Sequence, residues 1–399
     1  MAANSANYEQ QACVYSKRFR CMTSPAPVFI GSDIYRTSIH ASGHPLAIPR
    51  VSLCIDLCRA LEWLPDTVYR ESPRATPPEL ARYHAPEYIE ALMRAERDQE
   101  VPEAVRQRFN LGVNGNAVYA EMFRRPATAC GASLLGARLL RSPGVVYNPA
   151  GGTHHGQRAR ASGFCAFNDP VLAILKMLDD GLDRIFYLDL DAHFGDGVQH
   201  AFHDEDRVLT LSIHEAGRWP MERGDGMTAS AGGVYDRAGG MARNLPVPRE
   251  LNDTEMNYLL DTVVQPLIRR FAPQALVIQC GADALAEDPM TKLGLSNRAL
   301  WRCIRQVKAM AQKLLVLGGG GYNPWSVARC WAGVWAVLNG FPIPAALPPA
   351  AESVLRAVRW NHRQGRTAPE RWFVTLADSP RPGTVRPEVH ALASEVLKP

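Results

Sequence analysis

Asp189, Asp191 and His193 alternate through Tyr187-Leu188-Asp189-Leu190-Asp191-Ala192-His193, directly behind the apolar residues Ile185 to Leu188. The apolar run reads as a buried strand. Carboxylates and an imidazole in such a place need a cation or a hydrogen-bond network to offset their desolvation. Residues two apart in extended backbone share a face, so Asp191 and His193 can aim an oxygen and a nitrogen at one point. Zinc takes such donors at ~2.0–2.2 Å. Asp283, in Gln279-Cys280-Gly281-Ala282-Asp283, supplies a third candidate ligand. Taken alone, Asp283 reads as the cap of a following helix. Taken together, Asp191, His193 and Asp283 match a catalytic zinc, which keeps a position open for water. Their hard O/N/O character suits a Lewis acid better than a structural staple.

His154 and His155 lie in Gly151-Gly152-Thr153-His154-His155-Gly156. A lone histidine is more often a satisfied structural residue. Two together, flanked by glycines, can both face a cleft and work as general acid or base near neutral pH. Asp189 and Asp196 are their natural orienting partners, since a carboxylate on an imidazole sets its tautomer and raises its basicity. Gly318 to Gly321 precede Tyr322. The run lacks the Gly-Lys-Ser/Thr ending of a phosphate loop. It is either a flexible turn or a close-packed backbone that presents the Tyr322 hydroxyl to an oxyanion. Gly163-Phe164-Cys165 and Trp219-Pro220 are ordinary core or the walls of a narrow apolar slot for an aliphatic chain.

The elements that must position these groups alternate along the chain. Strands are expected at Val28 to Ile30, Val145 to Tyr147, Ile185 to Leu190, Val208 to Ile213, Ala275 to Cys280 and Leu314 to Leu317. Helices are expected at Val51 to Trp63, Pro86 to Arg97, Pro126 to Leu140, Asp169 to Leu178, Asp253 to Phe271, Ser296 to Lys313 and Pro324 to Leu338. That alternation predicts an α/β fold, a mostly parallel sheet with helices on both faces. The polar residues of interest fall just after the apolar runs: His154 and His155, Asp191 and His193, His214, Asp283, and Tyr322. Sites in open parallel sheets lie at the carboxyl ends of strands, so five strand ends deliver chemistry to one edge.

The chain has 399 residues and a net charge of +4. That length allows two or three domains, or one large α/β domain. Basic residues are scattered, so no nucleic-acid partner is expected. No apolar run spans a bilayer, and Met1 to Gln11 lacks the apolar core of a signal peptide, so no membrane partner is expected either. The nine cysteines are spread, unpaired in motif and mostly within apolar segments, which predicts reduced thiols and a cytoplasmic location. Cys54 and Cys58, one helical turn apart, read as core. Residues 1–26 read as an extension, 27–375 as a single domain and 376–399 as a tail. A homo-oligomer is compatible with the sequence.

The chain resembles zinc-dependent histone deacetylases of the class I type, including bacterial acetoin-utilization-type deacetylases. The matching stretches are His44-Pro45-Leu46 through Arg50, His84 to Tyr88, Gly151 to His155, Ala161 to Asp169, Tyr187 to Gln199, Gln279 to Met290 and Leu317 to Trp331. The resemblance implies the arginase/deacetylase fold with about eight strands. It implies zinc on Asp191, His193 and Asp283, and a structural potassium near Asp189, Asp191, His193, Ser212 and Ile213. His155, paired with Asp196, would be general base and then acid. His154, paired with Asp189, would support the transition state, and Tyr322 would bond the oxyanion. Gly163, Phe164, Trp219, Met290, Asn114 and Gly320 would contact substrate, and Arg50 would line an acetate-release cavity. The implied substrate is an acetylated protein, through its acetyl-lysine.

Three departures stand out. Phe194 replaces a histidine of the family run, in His193-Phe194-Gly195-Asp196-Gly197. That histidine is not a ligand, so zinc binding is expected to survive. The rim aspartate that grips substrate has no counterpart in Leu111-Gly112-Val113-Asn114-Gly115-Asn116, where Asn114 or Asn116 can accept a hydrogen bond without the charge. Trp219 stands where phenylalanine is usual. The missing rim acid keeps an amidohydrolase of acetylpolyamines or another small acylated amine as the alternative. An arginase-type ureohydrolase would need Asp-Ala-His-x-Asp, and Asp196 comes one position too late. A dead binding module would have lost Tyr322, a ligand or one of the paired histidines, and all are present.

Overall fold

The computed structural model describes residues 25–41, 43–221, 227–228 and 230–398; the extension expected over 1–26 lies outside them up to residue 24. At the centre is one sheet of eight strands: β1 (Val28–Gly31), β2 (Tyr69–Glu71), β3 (Gly144–Asn148), β4 (Ile185–Asp189), β5 (Val208–Glu215), β6 (Ala242–Val247), β7 (Ala275–Gln279) and β8 (Lys313–Leu317). Their order is β2-β1-β3-β8-β7-β4-β5-β6. Every pairing is parallel.

The inner strands are apolar on both sides because helices cover both sides. Phe186, Leu188, Leu276, Ile278, Leu314 and Val316 belong to one core, together with residues of helices Val51–Ala60, Asn297–Lys308 and Pro324–Asn339. Their sequence neighbours Ile185, Tyr187, Val277, Leu315 and Leu317 belong to another, with helices Arg124–Leu139 and Asp169–Asp179. That split is the two-residue period of a strand made visible. Gly333 lets Trp301 lie against the long helix Pro324–Asn339: a Cβ there would sit 2.6 Å from the Trp301 indole nitrogen.

Two caps matter for the site. The Asn168 side chain accepts the Val171 N–H, and the Asn323 side chain accepts those of Trp325 and Ser326. In each case a proline, Pro170 or Pro324, stands in the first turn, where its missing N–H costs nothing.

All six expected strands form. Two further ones, β2 and β6, do not show in the pattern: β2 has three residues, partly exposed, and β6 reads Ala-Arg-Asn-Leu-Pro-Val. Both are sheet edges, where a weak apolar pattern and a proline are tolerated. The helix expected over Asp253 to Phe271 runs as Asp253–Leu259 and Gln265–Phe271 around a π turn, Leu260–Val264. The segment expected as a tail from 376 carries helix Pro387–Val396, whose Val389, Leu392, Ala393 and Val396 are buried in the main core. Its charged, proline-rich approach hides that apolar stripe. No helix among the described residues is long and apolar enough to cross a membrane.

Candidate active site

Each strand of the sheet's centre ends in a loop that carries part of one polar cluster. The β4 loop brings Asp191 and His193, and the turn after β7 brings Asp283. His193 Nδ1 lies 3.0 Å from Asp283 Oδ2 and 3.2 Å from Asp191 Oδ1. One ligand atom from each of the three lies within 4.8 Å of the others, and no other such group occurs among the described residues. The remaining oxygens are held. Asp283 Oδ1 accepts the Ala192 N–H at 3.0 Å, and Asp191 Oδ2 accepts the Gly320 N–H at 2.6 Å and the Gln279 amide at 3.2 Å. Asp283 is therefore no helix cap. It lies within a single 3-10 turn, Ala282–Ala284, and its partners are on the β4 loop.

Burial, then repulsion from Asp191, pushes the Asp283 carboxyl up to about 6. Burial would raise Asp191 as well, but His154 and His193 hold it well below the usual carboxylate range. Two buried carboxyls and one imidazole with converging atoms fit a divalent cation, which removes that repulsion. An O/N/O set without thiolate suits zinc acting as a Lewis acid.

The β3 loop places His154 and His155 side by side, with ring centres 3.9 Å apart. His154 Nδ1 is 2.7 Å from Asp189 Oδ2, which also accepts the Tyr187 hydroxyl at 2.8 Å. His155 Nδ1 is 2.6 Å from Asp196 Oδ1, and Gln157 donates to the other Asp196 oxygen at 2.9 Å. Neighbouring charges split this pair. Burial lowers His154, but Asp189 and Asp191 outweigh it and bring the imidazole to about 9. Burial, then the charge of His154, draws His155 down to about 4. His155 is thus neutral at physiological pH. With Nδ1–H directed at Asp196, its Nε2 can accept a proton.

Tyr322 follows β8 and is buried, its N–H held by Asp288 Oδ2 at 2.7 Å. Tyr322, His155 and His193 line an open cavity of about 1280 Å³, with Gly163, Phe164, Trp219, Met290 and Asn114 on its walls. The walls are close-fitting. Gly163 and Phe164 both take positive φ, 53° and 66°, and a Cβ on Gly163 would lie 2.7 Å from the Trp219 ring. Trp219 meets the His155 ring edge-on at 4.8 Å and is 51% exposed. Asn116 does not reach the cavity; its side chain accepts the Phe164 N–H at 3.1 Å. Asn114 does reach it, tied to Asn110 at 2.9 Å. A smaller cavity of about 50 Å³ lies among Arg50, Leu46, His154, Asp191, Gly320 and Tyr322. Arg50 donates into it from one side to Gly319 O at 2.8 Å, and Gly320 lines this inner space, not the outer one.

Ser212 pairs in register with Asp189, which brings two of the residues expected around potassium side by side. The Ser212 hydroxyl lies 2.8 Å from His214 Nδ1. Phe194 turns inward, buried with its ring 5.1 Å from that of His214, and contributes nothing to the ligand set.

Sequence reasoning missed the residues that hold these groups in place. Asp288 accepts the N–H groups of both Tyr322 and Met290. Gln279 links Tyr187 to Asp191. His84 Nε2 accepts the Asn168 N–H at 3.0 Å, and the Asn168 amide holds the His154 and Gly156 carbonyls. Their common signal is a polar residue beside an apolar or glycine-rich run, which is weak without the partner.

A family model described as the histone deacetylase domain matches residues 44–338. The chain is 34% identical over 310 residues to putative histone deacetylase 2 of Caenorhabditis elegans, covering 76% of this chain and 60% of that protein. It is 34% identical over 320 residues to human histone deacetylase 1, covering 77% and 64%. The chain thus spans less than two thirds of the length of these curated relatives. The solved structure of an HDAC homolog complexed with SAHA superposes with a TM-score of 0.87 at 34% identity, covering 93% of this chain and 99% of that one. An HDAC homolog from Aquifex aeolicus gives 0.86 at the same identity and coverage. With eight parallel strands, helices on both faces, and a match over most of its length, the chain has the arginase/deacetylase fold and belongs to the histone deacetylase family.

Proposed function

We propose that this chain hydrolyses acetylated amines, with Nε-acetyl-lysine in proteins as the substrate. The observation that carries the reading is the meeting of Asp191, His193 and Asp283 with the His155–Asp196 pair and Tyr322 at the end of an aromatic-walled cavity. Zinc, held by Asp191, His193 and Asp283, would supply Lewis-acid polarisation of the acyl oxygen and of a water molecule. His155 Nε2 takes a proton from the attacking water and later gives it to the departing amine nitrogen. As the C–N bond breaks, the products are acetate and a free amine. The Tyr322 hydroxyl donates to the oxygen that becomes negative at the acyl carbon. His154, held by Asp189, adds positive charge beside that oxygen. Phe164 and Trp219 grip the aliphatic tether, Gly163 leaves room for it, and Met290 and Asn114 border the entrance. Acetate leaves past Arg50 and Gly320. A potassium ion at Asp189, Asp191, His193, Ser212 and Ile213 would brace the β4 loop.

The protein would work in the cytoplasm; the seven described cysteines are free and buried. Acetylpolyamines suit the site less well, because the cavity carries Arg160, Arg218 and Arg249 and no described carboxylate, and these repel a second ammonium group. The test is acetate release from an acetyl-lysine peptide beside N-acetylputrescine, with metal-free protein and Tyr322→Phe as controls. Zinc-restored hydrolysis of the peptide that collapses in Tyr322→Phe supports the reading. Hydrolysis confined to N-acetylputrescine refutes it.

A further inference from the structure

Among the described residues, a single acid, Glu215, faces the three guanidinium groups of the outer cavity. Glu215 is wholly buried behind the wall. Its carboxylate accepts Arg218 twice, at 2.7 and 2.8 Å, and the Lys292 N–H at 2.7 Å, and lies 3.3 Å from Arg249 Nε. One buried negative charge therefore answers two positive ones. Arg218 is fully engaged, since its remaining terminal nitrogen donates to the Met290 carbonyl at 2.6 Å. It acts as a strut between the Trp219 loop and the Met290 loop. Arg249 is different, with a side chain 70% exposed and only its Nε near Glu215. Arg160 is exposed, and among the described residues no carboxylate pairs with it. Among the described residues, two guanidinium groups of the cavity wall thus keep donors free.

We propose that Arg160 and Arg249 select acylated amines that carry a carboxylate where the tether leaves the slot. This names the substrate class of the deacetylase reading and rests on it. The acyl group must lie at His155, His193 and Tyr322, which line the same cavity as the arginines. A tether as long as a lysine side chain, gripped between Phe164 and Trp219, would run out through the cavity whose wall carries Arg160 and Arg249. Guanidinium forks match carboxylates in shape and charge, and a partly enclosed cleft screens the pair less than open surface does. The carboxylate can come from an acidic residue next to acyl-lysine in a peptide, or from a small acylated amino acid.

The test compares 6-acetamidohexanoate with its methylamide, which differ only in the carboxylate at a lysine's tether length. A second pair, acetyl-lysine peptides with aspartate or lysine flanks, separates the two sources. Zinc-loaded protein should favour the acidic member of at least one pair by about tenfold in kcat/KM, with the advantage shrinking as salt is raised. In the Arg160→Ala/Arg249→Ala double variant the ratio should fall close to one. Equal rates within both pairs, or an undiminished ratio in the double variant, overturn the inference and leave deacetylation standing. No hydrolysis of any of the four overturns the deacetylase reading, and this inference with it.

Discussion

Gly320→Ala tests the metal site through geometry alone. Gly319 and Gly321 take positive φ, but Gly320 does not, so alanine is acceptable to the backbone there. The added Cβ is another matter. It would sit 2.7 Å from Cγ of Asp283 and 3.0 Å from Oδ2 of Asp191. The nearest atom of all would be Oδ2 of Asp283, so the Asp283 carboxylate must retreat by more than roughly 1 Å to reach ordinary contact. Ligand distances at a metal tolerate about 0.2 Å. Zinc affinity should therefore fall by at least the ~10–100-fold seen when the support of a ligand is disturbed. Titration against a competing chelator gives the affinity. Thermal unfolding with and without zinc gives a second reading, because an ion at ~100 times its Kd stabilises the native state by about 2.7 kcal/mol. That zinc-dependent rise in Tm should vanish in Gly320→Ala. Gly144→Ala is the control, a glycine without positive φ whose added Cβ would meet nothing nearer than 3.9 Å. If Gly320→Ala binds zinc within about threefold of the parent affinity, Asp191 and Asp283 do not hold the ion and the ligand assignment is wrong.

Three further outcomes are expected. Tyr322→Phe should cut kcat on an acetyl-lysine peptide by ~10²–10³, the usual effect of losing one oxyanion donor, with little change in Tm; a kcat within a factor of about three would remove Tyr322 from the chemistry. Asp288→Ala strands the N–H groups of Tyr322 and Met290, so stability should drop by ~1–3 kcal/mol and kcat should suffer more than KM; a loss of stability with kcat intact would make Asp288 a structural residue only. Burial holds the His84 imidazole down at about 4, against an unfolded value of about 6.5. Its folded pKa is the lower one, so its contribution is complete above the unfolded value and is lost as pH falls from there towards the folded one, on the order of 3 kcal/mol in all. Urea unfolding at about pH 7 and about pH 4.5 should show this loss, and His84→Gln should show a flatter dependence. An identical slope in the variant would remove His84 from the account.

Much of the site is legible before any folding is considered. Asp189, Asp191 and His193 are spaced to share a face of extended backbone, and the apolar run before them marks the strand. The paired histidines, Asp283 and Tyr322 stand behind apolar runs in the same way, and parallel topology then requires their strand ends to lie at one edge. The inner strands, β3, β4, β7 and β8, are legible because they are buried on both faces and carry no polar interruption. The outer strands β2 and β6 are not, since edges tolerate arginine, asparagine and proline.

What sequence pattern determined here is therefore which residues end the buried strands, and so which chemistry gathers at the sheet's edge. Only the tertiary structure decided how those groups are tuned and fenced. Asp288 meets Tyr322 across 34 residues, and Gln279 meets Tyr187 across 92. His154 and His155 are neighbours in the chain, yet burial and different partner carboxylates set one at about 9 and the other at about 4. Arg160, Arg218 and Arg249 look like any solvated arginines until the fold lines them along one cavity and buries Glu215, the described acid that Arg218 and Arg249 share. The physical reason is the same in each case. Desolvation and Coulomb energy depend on what surrounds a charge in space, and periodicity along a chain records burial but not neighbours.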